Sequence, residues 1–180
     1  MGLLTKDIKS LDDLLLQSLA ELRYTERRIQ RALPILAGKL SDARLQDELQ
    51  KWVEASEAYG ERIEVVFRLH EATPCVVECP AIDGIFISAD ELNDEIDSDY
   101  VLDTAIIGAV EAVAAYSLTR YQTVIGWLRQ AGRVESARLL NENLGSRRRA
   151  TATLQVLAER CLTETRPRRS GRGAPAVLAS

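Results

Sequence analysis

The amino-acid sequence predicts an all-α protein, a bundle of four long helices. Apolar residues recur every three or four positions along four long segments, which is the period of a helix with one buried face. The 180 residues include only ten Gly and five Pro, and long stretches with few of either favour helix. Two breaks between the segments are short and one is long, and these lengths fix how the helices connect.

The first two segments form a predicted helical hairpin. The first helix begins at Ser10, a good N-cap residue, and ends near residues 38–40. We expect Pro34 to kink its last turns without ending it. The second helix begins at residue 41 or 42 and ends near residue 71, just before a Thr-Pro pair. The short break makes the two helices antiparallel neighbours.

The second half of the chain predicts a matching hairpin. Its helices cover residues 99–130 and about 133–163, with Gly132 between them. About 28 residues connect the two hairpins. The acidic part of this connection, Ser88 to Ser98, is interpreted as a short capped helix. A helix of about 30 residues is about 45 Å long, a distance that such a connection can span. The prediction is two antiparallel helical hairpins joined by a long crossover with a short extra helix, the ferritin-like four-helix bundle.

Length and charge indicate one domain and few binding classes. Residues 1–164 suit a single bundle, and residues 165–180 form a basic tail that we expect to be disordered. The net charge of −4 gives no general attraction to nucleic acid or anionic membrane, so nucleic acid would bind only through Arg166 to Arg172 of the tail. The alternative to nucleic-acid binding is that this basic tail is simply solvated.

The sequence also favours the cytoplasm. No apolar run approaches the roughly 20 residues of a membrane span. Residues 1–9 lack the layout of a secretory signal, and three cysteines without such a signal suggest a reducing compartment.

The predicted helices meet at mid-height, where related bundles often hold two metal ions. Such centres commonly use a Glu from each of two helices and a Glu-x-x-His pair from each of the others. No Glu-x-x-His pair exists in this chain, and its one histidine lies at a helix end. We therefore expect no iron or manganese cofactor and a filled centre made of Glu26, Trp52, Glu57, Ala114, Ser117 and Arg147. If a metal binds, the candidate ligands are Glu26, Glu57, Glu111 and Glu142.

Arg147 lies on the inward stripe of the last helix and has two interpretations. It could bridge Glu26 or Glu57 and supply the positive charge that a metal would have supplied. Alternatively, its long stem could carry the guanidinium to water. Glu26 would then pair with a surface arginine: Arg27, Arg28 or Arg120.

Three further residues could form a weak thiol site. His70, Cys75 and Cys79 lie within ten residues and could begin a zinc site or a redox pair. A zinc site needs a fourth donor, which the sequence does not identify. Thiols packed in the crossover are the alternative.

Several short motifs resemble the YciE/YciF-type ferritin-like family, a bacterial stress-associated group, over roughly residues 5–160. The matching pieces are Tyr24-Thr25-Glu26, Ala32-Leu33-Pro34, Glu61-Arg62-Ile63-Glu64 with Val66-Phe67, Cys79 with Ile82-Asp83-Gly84-Ile85, Asp103, Tyr116, and Ala137 to Leu144. The resemblance implies a homodimer, or a pair with a related ferritin-like protein. It also implies a metal centre, but this chain has Trp52 in place of the family's histidine and Ala114 to Ser117 in place of a Glu-His-Tyr-Glu run. It likewise has Gly145-Ser146-Arg147 in place of an acidic run.

The function expected from the sequence is a non-enzymatic ferritin-like bundle with a degenerate metal centre. It would act through protein–protein contacts in the bacterial stress response. The alternative is a metal-dependent oxidase or peroxide scavenger with a rearranged di-iron site.

Overall fold

The computed structural model describes residues 8–165 and contains five helices. They are α1 (Leu11–Lys39), α2 (Ala43–Leu69), α3 (Pro80–Asn93), α4 (Asp99–Gln130) and α5 (Val134–Thr165). Residues 8–165 form no strand, and the predicted all-α class is confirmed. The expected disorder of the tail, and the question whether nucleic acid binds through Arg166 to Arg172, concern residues outside this range.

The four long helices form a closed square bundle. Each packs on two others in the order α1, α2, α5, α4 and back to α1. Residues 70–98 connect the two hairpins, and α3 in this crossover packs outside the square against α4 and α1. This is the predicted arrangement of two hairpins and a long crossover.

Local sequence explains the helix ends. The Ser10 hydroxyl accepts a hydrogen bond from the Asp13 backbone N–H at 3.0 Å and caps α1, which then continues past Pro34. Between α4 and α5, Gly132 has a φ of +71°, a conformation that costs glycine little. The next N–H, of Arg133, donates to the Leu128 carbonyl at 2.8 Å and closes the end of α4.

The short crossover helix differs from its prediction. It covers Pro80–Asn93 rather than Ser88 to Ser98. Pro80 is its first residue, where a missing N–H costs nothing, and Ile82, Phe86 and Ala89 are buried at steps of four and three. The acidic stretch after Asn93 has no such apolar positions and leaves the helix. Burial, rather than charge and capping, sets the boundaries.

The core consists of two apolar clusters. The lower cluster holds residues 15–22 of α1, 63–67 of α2, 121–128 of α4 and 137–144 of α5. The upper cluster holds residues 29–40, 45–52, 106–114 and 154–161 of the same helices, together with α3. Burying one Leu or Ile side chain contributes about 1.5–3 kcal/mol. The helices pass between the clusters at residues 26, 56–59, 117 and 147.

Candidate functional site

A layer of buried polar side chains separates the two apolar clusters at mid-height. We call it the polar layer. Its members are Glu26 of α1, Ser56 and Tyr59 of α2, Ser117 and Tyr121 of α4, and Asn143 and Arg147 of α5. Each is at most 2% exposed. Buried polar groups are costly unless they are paired, so their hydrogen bonds decide what this layer can do.

Arg147 is the centre of the polar layer. Its Nη2 donates to Glu26 Oε2 at 2.6 Å and to Ser56 Oγ at 3.0 Å. The guanidinium also lies 4.9 Å from the ring centroids of both Trp52 and Tyr59, within cation–π distance. The inward interpretation of Arg147 therefore agrees with the geometry, and its charge is balanced by one carboxylate and two aromatic faces.

The second oxygen of Glu26 continues the network towards the surface. Glu26 Oε1 accepts from the Tyr121 hydroxyl at 2.9 Å. Asn143 Nδ2 donates to the Tyr121 oxygen at 3.3 Å and to the Tyr59 carbonyl at 3.2 Å. Arg62 Nη1 donates to Asn143 Oδ1 at 3.0 Å, and Arg62 is only half-buried. Burial, followed by the nearby Glu26 carboxylate, raises the pKa of Tyr121, which keeps its hydroxyl a donor.

Some capacity for hydrogen bonding is left over at the same height. Trp52 Nε1, Tyr59 OH, Ser117 Oγ and Arg147 Nε are buried and have no hydrogen-bond partner among residues 8–165. Leaving a buried donor or acceptor unpaired costs about 1–3 kcal/mol. The polar layer is thus held by a few strong charged contacts and is incompletely satisfied around them.

The donors at this height do not fit a metal pair. Glu26 is the one carboxylate of the polar layer, and Arg147 already binds one of its oxygens. Within the described part of the chain, no three His, Cys, Asp or Glu side chains are placed to hold one metal ion. Glu111 is half-buried, while Glu142 is exposed and ion-paired with Arg138 and Arg62.

The placement of Glu57 in the filled centre was wrong. Glu57 is exposed and lines a surface crevice between α1 and α2 with Arg23, Gly60 and Glu61. Its neighbour Ser56 occupies the inward position, and the next residue on a helix points about 100° away. Among the residues that the structure describes, Glu26 therefore has no carboxylate partner in the centre, and the ion pair of Arg147 is with Glu26 alone.

Two of the three surface arginines considered for Glu26 have other partners, and the third, Arg27, is exposed and forms no ion pair with the described residues. Arg120 pairs with Glu21, and Arg28 donates to Asp83 Oδ1 at 2.7 Å. Asp83 Oδ2 accepts from Tyr24 at 2.7 Å, and this hydrogen bond is the first cause that raises the pKa of Tyr24 to about 12. The two contacts of Asp83 fasten α3 to α1.

The proposed thiol site does not come together. His70 Nε2 lies 3.3 Å from Ser136 Oγ, whereas the Cys79 thiol lies 2.9 Å from the Tyr116 hydroxyl. Cys75 is exposed. Burial is the first cause that lowers the pKa of His70 and raises that of Tyr116. Among the described residues, these three do not form a ligand set.

The outward face of α4 is unusual for an exposed helix surface. Its exposed positions from Val101 to Thr119 carry no charge; they are Val101, Thr104, Gly108, Ala112, Ala115 and Thr119. Helix α4 is long and apolar enough to cross a membrane, with a mean hydropathy of 1.6 over 18 residues, of which 39% are buried in the bundle. Length and composition alone give this result, which a buried core helix also gives, and α4 supplies a full share of the bundle core.

Sequence reasoning missed Tyr121 and Asn143 as members of the centre. Tyr121 stands on the apolar stripe of α4, where a tyrosine is most often core. Asn143 lies four residues before Arg147, so both side chains share one helix face. A polar residue one turn from an inward arginine was the available signal.

Comparisons with known proteins agree with this fold. The family model described as a domain of unknown function, DUF892, matches residues 10–166. Protein YciF of Escherichia coli strain K12 is 26% identical over 153 residues, which span 84% of this chain and 92% of YciF. The structure of YcfI from Rhodopseudomonas palustris is 35% identical with a TM-score of 0.81, covering 85% of this chain and 98% of YcfI.

A second solved structure, that of the E. coli stress protein YciF, has a TM-score of 0.83 at 25% identity. The match covers 87% of this chain and 99% of YciF. Sequence and structure thus agree over nearly the whole bundle. The chain belongs to the DUF892 family and is a YciF-type member of it.

Proposed function

We propose that this protein is a non-enzymatic bundle whose metal centre has been replaced by a buried ion pair. The observation that carries the proposal is the Arg147 guanidinium, 2.6 Å from Glu26 in the middle of the bundle. A metal pair would need several carboxylates and imidazoles facing that position, and the inward residues of the other two helices there are Ser56 and Ser117. The arginine supplies a positive charge as a metal ion would, but it has neither the ligand-binding capacity nor the redox capacity of a metal ion.

The proposal includes a role in the bacterial stress response. Its support is the likeness to YciF, which is described as a stress protein. The cytoplasm is the compartment that fits this role, because neither Cys75 nor Cys79 forms a disulfide within residues 8–165.

The surface that we assign to protein contacts is the outward face of α4 together with α3. A shallow groove runs between them, lined by Ala81, Gly84, Ile85, Ser88, Ala89, Leu92, Ala105, Gly108 and Ala109. No lining residue is charged. Gly84 and Gly108 have open space where a Cβ would stand, so another helix can approach closely. Leu92, one of the lining residues, and Val101, one turn before Ala105 on α4, are each about half exposed and offer apolar side chains to a partner.

The occupant that we propose is a second copy of this chain. The stripe of uncharged exposed positions from Val101 to Thr119 extends over 19 residues, about 27 Å of helix, which gives two antiparallel copies of α4 a long self-complementary contact. Interfaces depleted of charge at their centre are typical of homodimers.

Metal analysis tests the first part of the proposal. Protein purified aerobically from cells supplied with iron and manganese is expected to contain far less than one metal ion per chain. The Glu26→Gln variant, prepared in parallel, should give the same value. Two metal ions per chain in the parent that are lost in Glu26→Gln would overturn the proposal and favour the oxidase alternative.

Light scattering tests the contact surface. We expect a dimer in the parent and a monomer in Ala112→Glu, which places a charge in the middle of the stripe. The matched control is Ala152→Glu, the same exchange at an exposed position of α5, and it should remain dimeric. A monomeric parent, or equal behaviour of the two variants, would contradict the assigned surface.

A further inference from the structure

Another cavity, distinct from the crevice and the groove described above, lies on the outside of the bundle, away from the polar layer. It has a volume of about 210 Å³ and lies between α1 and the start of the crossover. We call it the arginine groove. Its polar wall is formed by Arg23, Arg27, Arg28 and Arg31 of α1, and its opposite wall includes Cys75 and Val77. Four arginines on one cavity are unusual in a chain of net charge −4.

Two of these arginines are neutralised within the protein. Arg23 pairs with Glu64 of α2, and Arg28 pairs with Asp83 of α3. Arg27 and Arg31 are exposed and form no ion pair with any residue between 8 and 165. Glu78 on the crossover is exposed and forms none either. Arg27 and Arg31 thus bring two positive charges that no ion pair among the described residues balances, and Arg27 also borders the crevice lined by Glu57, Glu61 and Glu64.

The spacing of the two unpaired arginines suits a single ligand. Residues four apart on a helix share one face, so the stems of Arg27 and Arg31 begin about one turn apart. Like charges at this spacing repel each other in the free protein, and an anion between them removes the repulsion. A guanidinium presents a planar fork of donors that matches phosphate and carboxylate oxygens.

The opposite wall adds donors of another kind. The segment from Thr73 to Glu78 is neither helix nor strand, and its backbone N–H groups form no hydrogen bond with the described residues. Adjacent free N–H groups in an irregular segment are common partners of phosphate oxygens. The groove thus has arginine side chains on one side and, on the other, a segment whose N–H groups are not used in secondary structure.

We propose that the arginine groove binds a phosphate group, held by Arg27 and Arg31. The charge of a phosphate dianion equals that of the two unbalanced guanidinium groups, whereas a single carboxylate would leave one of them unmatched. A volume of about 210 Å³ holds a phosphate with a small substituent rather than a length of nucleic acid. Both the inorganic ion and a nucleotide carry this phosphate group, and the experiment separates these two sources.

The experiment uses the full chain, isothermal titration calorimetry, and two probes at constant ionic strength: inorganic phosphate and adenosine monophosphate. The groove variant is Arg27→Gln with Arg31→Gln. The control is Arg148→Gln with Arg149→Gln, which removes the same charge from exposed positions of α5. We expect saturable binding by the parent and the control, weakened at least tenfold in the groove variant. If inorganic phosphate binds, the phosphate group alone is sufficient for binding. If only the nucleotide binds, the rest of the nucleotide also contributes to the contact.

Cys75 provides an independent readout of location. It is the exposed cysteine of the groove, whereas Cys79 and Cys161 are buried. A saturating concentration of the bound probe should slow alkylation of Cys75 by iodoacetamide several-fold. If the double glutamine variant fails to fold, Arg27→Lys with Arg31→Lys keeps the charge but loses the forked donors, and it should still bind more weakly.

Three results would overturn the proposal. They are the absence of saturable binding for both probes, an equal loss in the groove and control variants, and unchanged alkylation of Cys75 at saturation. Binding of an acidic peptide by Arg27 and Arg31 without binding of either phosphate probe would likewise assign the groove to a protein partner instead.

Discussion

The polar layer and the apolar clusters on either side of it are equally removed from water, but different forces hold them. In the clusters, residues such as Leu19 and Leu33 gain from burial against any neighbour that fills the space. In the polar layer, the buried charge of Arg147 is tolerated only because Glu26 accepts a hydrogen bond from it and balances its charge. The clusters therefore supply most of the stability of the bundle, and the polar layer fixes which helix faces meet at mid-height.

The largest expected effect comes from stranding a charge in the polar layer. Arg147→Met should lower the free energy of unfolding by about 3–5 kcal/mol, because Glu26 is left buried without its partner. The control is Arg148→Met on the exposed face of α5, which should stay within about 0.5 kcal/mol of the parent. Urea denaturation measures both. A loss below about 1 kcal/mol for Arg147→Met would mean that the pair behaves as an exposed one.

A smaller effect is expected where the layer loses a neutral donor. Tyr121→Phe removes the hydrogen bond to Glu26 Oε1 and leaves the Asn143 amide with one partner fewer. The expected cost is about 1–3 kcal/mol, the range for a buried group left unpaired. The matched control is Tyr100→Phe on the same helix. Tyr100 is half-buried, and its hydroxyl forms no hydrogen bond with the described residues. Thermal unfolding measures both variants. Equal melting temperatures for the two variants would remove Tyr121 from the network.

The contact that fastens the crossover should matter less than the polar layer. Asp83→Asn keeps the shape that receives Arg28 and Tyr24 but removes the charge, and a cost of about 1 kcal/mol is expected because both partners of the ion pair are partly exposed. The loss should shrink in high salt, unlike that of Arg147→Met. Asp90→Asn, exposed on the same helix α3, is the control. A salt-independent loss would show that Asp83 acts through packing.

The smallest effect is a dependence on pH at the lower end of the bundle. Burial, with a contribution from Arg133, lowers the pKa of His70, so the folded state favours the neutral ring. The stability from His70 is therefore fully present above its unfolded pKa of about 6.5 and is lost as the pH falls through the lower folded value. Melting temperatures between pH 5 and 7.5 should fall less steeply towards acid in His70→Gln than in the parent. A steeper fall in the variant would contradict the direction assigned here to the pKa shift of His70.

The sequence predicted the helical bundle well because its long apolar stripes leave little freedom. The same period placed Arg147 inward, and it is buried. It failed at Glu57, because a residue at the edge of a stripe turns outward when its neighbour Ser56 takes the inward position. Residue spacing also misplaced α3, whose ends follow burial against α4 rather than its acids.

Two features depend on the course of the chain in three dimensions and had no local signal. The arginine groove exists because the crossover passes beside α1 and brings Cys75 opposite Arg27. The link from Arg62 through Asn143 to the centre joins α2 to α5, residues 81 positions apart. Such contacts follow from topology, and a helical period read along one segment does not contain them.

The central claim is that Arg147 and Glu26 depend on each other, and a double-mutant cycle tests it most directly. The free energies of unfolding of the parent, Arg147→Met, Glu26→Gln and the double variant give the coupling between the two side chains. We expect the double variant to recover part of the loss of Arg147→Met, because neither charge is then stranded. The control cycle, Leu19→Ala with Leu33→Ala, joins the two apolar clusters and should be additive within about 0.5 kcal/mol. Additive losses in the Arg147 and Glu26 cycle would contradict the claim that this ion pair fills the centre of the bundle.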